Sequence, residues 1–277
     1  MIENNSLLLR ILSSFVMLII FFTMVISNNF IFLIFSQLLL FLTSWEILRM
    51  LEFKSFIKKK VDGCNFLLSK FQIRKYDLIL IFLINIFVFL LNFPLLELQI
   101  FCFIVIIFYL LKLSDISIVK IIGLSYVTFA FIFLNEMSQS SEFISFIFFI
   151  VFFSMIVDIS AFFFGTIIGG PKIMPSISPN KTVAGCIGGI ISPIIFCTII
   201  YFNKSSISNI IYLSFVFSII SQFGDLIESG FKRYCYVKDS SNIIPGHGGL
   251  LDRLDSIIAL IIFVSIIKLL DYNFFFI

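Results

Sequence analysis

The chain has 277 residues, of which 60% are hydrophobic and only 13% charged, whereas soluble domains are roughly 45–50% apolar. That excess excludes a water-soluble globular protein and indicates a membrane protein, and a formal charge of +3 leaves the placement of charge more informative than its sum. Five cysteines, Cys64, Cys102, Cys186, Cys197 and Cys235, are scattered without a C-x-x-C pair, so neither a disulfide framework nor a zinc site is expected.

Residues 7–27 form an apolar run of about 20 residues, long enough to cross a hydrocarbon core of roughly 30 Å. It is longer than a signal-peptide core and no small-residue cleavage site follows, so a retained first span is expected. Asn28 and Asn29 turn the chain, and residues 30–48 span back, with Trp45 near the end at headgroup depth. Residues 49–77 carry Arg49, Lys54, Lys58, Lys59, Lys60, Lys70, Arg74 and Lys75. Short segments this basic resist translocation, which predicts a cytoplasmic loop. The run lies between spans, so anionic lipid rather than nucleic acid is its expected partner.

Residues 78–92 and 98–111 pair around Pro94 as a hairpin facing outward. Residues 121–134 cross out, 135–142 form an acidic external turn, and 143–168 return. That returning span holds Asp158, and a carboxylate is so costly in lipid that it should face the bundle interior or a wet cavity, which makes it a functional candidate. Residues 169–182, G-G-P-K-I-M-P-S-I-S-P-N-K-T, contain three prolines and no helical period. They predict a loop or re-entrant segment held against protein. Residues 183–201 cross outward with Gly185, Gly188 and Gly189 permitting close helix packing. No G-x-G-x-x-G or Walker-type loop accompanies them. Residues 209–225 return and 256–270 leave again.

The expected fold is therefore all-α: a polytopic membrane protein of about nine transmembrane helices, N-terminus cytoplasmic and C-terminus outside. Residues 1–140 form N-terminal transmembrane helices and 141–277 a C-terminal catalytic region, within one integral membrane unit. Of the nineteen lysines and arginines, all but Lys204 and Lys268 fall on the inner side of this topology, and inversion would misplace nearly all of them. The segments 169–182 and 229–256 then emerge on the same cytoplasmic face and can build one site.

The segment 229–256 concentrates the polarity of the chain: Lys232, Arg233, Lys238, Asp239, His247, Asp252, Arg253 and Asp255, with Asp225 and Glu228 just upstream. Asp252 and Asp255 are spaced i, i+3 and, if helical, share a face at a helix start, whose positive end favours anions. Together with Asp225 they form three carboxylates that would repel one another unless a cation lies among them. Mg²⁺ resolves that conflict and suits a phosphate substrate. Lys172, Lys181, Lys232, Arg233, Lys238 and Arg253 supply charge for phosphate oxygens, and Gly246, Gly248 and Gly249 leave backbone N–H groups open to phosphate. Blander readings exist for each member: a helix start with a local ion pair for Asp252, Arg253 and Asp255, a headgroup anchor for Lys232 and Arg233, a satisfied hydrogen-bonding group for His247. Their conjunction is harder to explain that way.

From Ser229 to Asp255 the residues read S-x-F-K-R-x(4)-K-D-x-S-x(2)-I-P-x-H-G-G-L-x-D-R-L-D, which resembles the whole signature of the phosphatidate cytidylyltransferases, or CDP-diacylglycerol synthases. The upstream G-D-L-x-E-S from Gly224 to Ser229, the S-P-x-K-T from Ser178 to Thr182, and Asp158 with Ala161 are similar to the family pattern as well. One departure is Ala184, two residues after the K-T pair, where family members carry Glu; Asp158 or Glu228 could take its place. The resemblance implies attack of phosphatidate on the α-phosphorus of CTP, release of pyrophosphate and a requirement for Mg²⁺, with a second cation such as K⁺ compatible. It places metal ligands at Asp225, Asp252 and Asp255, catalytic cations at Lys232 and Arg233, and substrate contacts at Asp158, Ser178, Lys181, Thr182, Ser229, Lys238, His247, Gly248, Gly249 and Arg253. The implied setting is the cytoplasmic (inner) membrane with the site on its cytoplasmic face, CTP and phosphatidic acid as partners, and a homodimer as a candidate assembly. Two rivals stay open: a CTP-using enzyme of another membrane lipid, polyprenol kinase-like or an archaeal-lipid cytidylyltransferase, and a transporter, favoured by Asp158 and the broken segment but lacking an inverted repeat.

Overall fold

The computed structural model describes residues 2–59, 73–112, 117–201 and 207–269. Part of the basic loop including Lys60 and Lys70, the external segment with Lys204, and both termini therefore lie outside the described residues. Among the described residues are nine helices and one hairpin: α1 (Ile2–Ile26), α2 (Asn29–Lys59), α3 (Lys75–Leu90), α4 (Leu96–Lys112), α5 (Ile118–Met137), α6 (Phe143–Ile167), β1 (Lys172–Met174), β2 (Ser178–Thr182), α7 (Val183–Tyr201), α8 (Ile207–Tyr234) and α9 (Leu251–Leu269). Five of these, through Asn29–Ser55, Ile118–Met137, Phe143–Ile167, Val183–Ile200 and Ile207–Tyr234, are long and apolar enough to cross a bilayer. The chain is thus a helical integral membrane protein.

Two compact units make up the chain: Met1–Ser141 with Tyr234–Asp252, and Glu142–Arg233 with Arg253–Ile277. In the first, α2 shows how lipid reverses the usual amphipathic logic. Phe30, Ile31, Ile34 and Leu38 are exposed, whereas Ser36, Thr43, Ser44, Glu46, Arg49 and Glu52 are buried. Apolar side chains need no shelter from lipid tails, while polar ones find partners only inside the bundle. Two polar links join α2 to α5. Ser36 Oγ donates to Asn135 Oδ1 at 2.6 Å, and Glu52 meets Lys120 at 3.8 Å and Arg74 at 2.9 Å while Lys120 also pairs with Asp77. Removing one member of so buried a set would strand a charge.

In the second unit α6 lies against α7 at a glycine contact: a Cβ on Gly185 would stand 2.6 Å from the Ala161 carbonyl oxygen. Ser154 Oγ and Ser256 Oγ, 2.7 Å apart, link α6 to α9. The Phe217 ring of α8 meets Phe149 and Phe153 of α6 and Phe263 of α9 with centroids 5.6–5.8 Å away, in the edge-to-face geometry aromatic rings favour.

Three expectations are revised in detail. Residues 169–182 are an antiparallel hairpin pairing Lys172 with Thr182 and Met174 with Ser178, closed by the Val183 N–H donating to the Pro171 carbonyl at 3.0 Å. Helix α8 runs nine residues past Asp225, so the first part of the polar stretch is helical. Helix α2 continues past Leu48 to Lys59, which leaves Trp45 mid-helix, packed against the Leu48, Leu80, Ile81 and Leu124 cluster. In each helix a charge marks the end of the apolar run but not of the hydrogen-bonded backbone.

Candidate active site

On α8 the residues Asp225, Glu228, Ser229 and Lys232 are spaced i, i+3, i+4 and i+7, which aligns them on one helical face. Gly224 brings the start of α9 close, since a Cβ there would lie 2.6 Å from Ala259 Cβ and 2.8 Å from the Asp255 carbonyl oxygen. As a result one carboxylate oxygen each of Asp225, Glu228 and Asp255 lies within 4.8 Å of the others. Lys181 Nζ stands 2.6 Å from Asp225 Oδ2 and Lys232 Nζ 2.5 Å from Glu228 Oε2. Ser229 Oγ donates to Asp225 Oδ1 at 3.2 Å, and the Ser256 N–H donates to Asp255 Oδ1 at 2.7 Å. The three carboxylates make an all-oxygen donor set, which fits a hard divalent cation such as Mg²⁺.

Asp225 also belongs to the wall of a cavity of about 550 Å³ between α6, the hairpin, α7 and α8. Asp158, Lys172, Lys181 and Thr182 share that wall, with Ala161 and Phe162 on its apolar side. The cavity thus combines cations suited to phosphate with an apolar flank. Thr182 Oγ1 accepts the Gly185 N–H at 3.1 Å at the start of α7. Arg233 Nε donates to the Ile177 carbonyl at 3.1 Å, fastening the end of α8 to the hairpin turn. Ser178 is engaged in the hairpin register opposite Met174, and Arg253 is exposed in the first turn of α9.

The remaining signature residues lie in the first unit. Asp252 accepts the Ser240 N–H at 3.0 Å and the Gly249 N–H at 2.8 Å, with Ser240 Oγ 3.0 Å from Oδ2, so its carboxylate holds the loop that precedes α9. His247 is met by two serines of α1, Ser13 Oγ at 2.8 Å from Nδ1 and Ser14 Oγ at 3.3 Å from Nε2. Gly246 and Gly248 have φ of 77° and 86°, a left-handed backbone that favours glycine. Lys238 is exposed. Cys235 is fully buried, and burial pushes its thiol up to about 12 despite Lys54 nearby, so it is an inert space-filler rather than a nucleophile.

A family model described as the cytidylyltransferase family matches residues 8–270. The chain belongs to that family. A protein of Staphylococcus saprophyticus subsp. saprophyticus named phosphatidate cytidylyltransferase is 40% identical over 141 residues, 49% of this chain and 53% of that protein. The Staphylococcus haemolyticus protein of the same name is 48% identical over 105 residues, covering 36% of this chain and 40% of its own length. A Staphylococcus aureus relative, again so named, is 42% identical over 140 residues, 49% of this chain and 53% of the relative. The chain spans about half the length of these curated relatives.

Within this family member, sequence and structure distribute the acidic residues differently. The sequence reading groups Asp225, Asp252 and Asp255; the structure groups Asp225, Glu228 and Asp255, and commits Asp252 to Ser240 and Gly249. Helix α8 explains the difference, because its continuation past Asp225 brings Glu228 one turn further on the same face. A residue the sequence reading passed over is Glu46, wholly buried in α2. The rule that singled out Asp158, a carboxylate inside an apolar span, applies equally to Glu46.

Proposed function

We propose that this protein is a phosphatidate cytidylyltransferase that makes CDP-diacylglycerol from CTP and phosphatidate at the cytoplasmic face of the inner membrane. The observation that carries this reading is Asp225, which shares one carboxylate cluster with Glu228 and Asp255, one ion pair with Lys181 and one cavity wall with Asp158 and Lys172. Family membership and the names of the relatives support the choice of nucleotide and lipid.

In the proposed reaction a phosphate oxygen of phosphatidate forms a bond to the α-phosphorus of CTP as the bond to the bridging oxygen of the β-phosphate breaks. Pyrophosphate leaves with that electron pair. Asp225, Glu228 and Asp255 are the residues to hold Mg²⁺, which when bound supplies Lewis-acid polarisation of phosphate oxygens and offsets charge growing in an in-line displacement. Lys181 and Lys172 hold phosphate oxygens as point charges from the cavity wall, and Arg233 keeps the hairpin that carries both in place. The exposed apolar flank at Phe162, on a membrane helix, suits the diacylglycerol portion of the lipid. Lys238, His247, Gly248, Gly249, Asp252 and Arg253 stay proposed substrate contacts or ligands on the strength of the signature.

The test is to give purified protein radiolabelled CTP, Mg²⁺ and a panel of lipids. CDP-diacylglycerol from phosphatidate is the expected product. Product from a polyprenol or an archaeal ether lipid, with none from phosphatidate, would assign the site to another lipid, and solute flux without CTP turnover would assign it to transport.

A further inference from the structure

Glu46 is a densely engaged carboxylate outside the cluster described above. Its side chain is fully buried in α2, and three donors from one distant segment, with a fourth shared with Asp252, converge on it. Oε1 accepts Ser241 Oγ at 2.5 Å and the Leu250 N–H at 2.9 Å. Oε2 accepts the Leu251 N–H at 2.7 Å, and Ser240 Oγ lies 3.1 Å away with one hydrogen shared between this oxygen and Asp252 Oδ2. Leu250 and Leu251 stand at the N-terminus of α9, where backbone N–H groups have no partner within the helix, and the positive end of the helix adds to the attraction. Charge-assisted hydrogen bonds of this kind are about twice as strong as neutral ones.

The fit leaves no slack. A Cβ on Gly249 would overlap Ser240 Oγ and lie 2.5 Å from Glu46 Oε1, so the loop backbone passes directly over the carboxylate. Ser240 in turn donates its N–H to Asp252. The segment clasped between Glu46 and Asp252 is the one that carries His247, Gly248 and Gly249.

We propose that Glu46 is a positioning residue of the catalytic cycle: from the N-terminal helices it fixes loop 240–251 in the one conformation competent to receive the nucleotide. This rests on the cytidylyltransferase reading above. Loss of the clamp leaves only a fraction of molecules with an ordered loop, and apparent affinity falls by that fraction while the saturated rate persists. A merely structural role would instead lower the amount of folded enzyme and leave KM unchanged.

The experiment compares wild type, Glu46→Gln and Ser241→Ala as full-length protein, with two readouts. Amide hydrogen exchange over residues 240–251 reports loop order without any turnover, and CTP-dependent kinetics on phosphatidate report KM and kcat. For Glu46→Gln, whose amide has one accepting oxygen where the carboxylate has two, exchange in the loop rises by about tenfold or more, KM for CTP rises by about tenfold or more, and kcat stays within about twofold. Ser241→Ala moves both in the same direction by less and guards against a Glu46→Gln protein that does not fold. Wild-type exchange and KM in Glu46→Gln overturn the proposal, as does a loss of Vmax at constant KM, or an unfolded Glu46→Gln together with a Ser241→Ala indistinguishable from wild type. A wild-type protein inactive on phosphatidate sinks the reading of the reaction, and the exchange readout then decides the clamp alone.

Discussion

Replacing Asp225 or Asp255 with asparagine keeps the shape of the side chain and removes an oxygen donor from the carboxylate cluster that Lys181 and Lys232 face. Each substitution is expected to cut CTP-dependent turnover by about a hundredfold or more, measured against folded protein, because metal stabilisation of phosphoryl charge is worth several kcal/mol. Asp252→Asn is expected to lower kcat/KM for CTP by about tenfold or more through the loop it holds, since an amide accepts less strongly from Ser240 and Gly249 than a carboxylate does. His247→Ala should cost less than any of these, its ring being held by Ser13 and Ser14. At this scale the sequence was legible where residue type alone decides: Asp225, Asp255 and Lys181 were singled out by their chemistry, and the structure brings them together. Glu228 was not grouped with them because that required knowing that α8 continues one more turn.

Among the elements, the contact between α8 and α9 decides the geometry of the carboxylates, and Gly224 is what lets it form. Gly224→Leu is expected to leave membrane insertion intact while lowering turnover by about tenfold or more, because a side chain against Ala259 and the Asp255 backbone forces the two helices apart. Insertion is checked by membrane fractionation and activity by the CTP assay. The span from Val183 to Tyr201 was legible residue for residue, since apolar content and helix end together there. The ends of α2 and α8 were not. Arg49 and Glu52 are buried and compensated in a bundle of polar side chains, and Lys232 and Arg233 fold back onto Glu228 and the hairpin turn, so charge there does not break the helix. The prolines of residues 169–182 excluded a helix correctly, yet the pairing of Lys172 with Thr182 depends on cross-strand contacts that no periodicity in so short a segment reveals.

For the whole molecule, the excess of lysine and arginine on one side of the proposed topology predicts its orientation. In a variant without native cysteines, a single cysteine at Ser140, exposed after α5, should react with an impermeant reagent from outside intact cells. One at Lys172, exposed in the hairpin, should react only after the cells are opened. The opposite pattern would invert the protein. The central claim is that Asp225, Glu228 and Asp255 hold the cation used in cytidylyl transfer to phosphatidate, and the most direct measurement is the rate of CDP-diacylglycerol formation by wild type and Asp255→Asn across a Mg²⁺ series. The account predicts a wild-type rate that rises with Mg²⁺ and a variant about a hundredfold or more slower at every concentration. An Asp255→Asn enzyme within about threefold of wild type throughout would contradict it, since a lost ligand charge cannot cost so little.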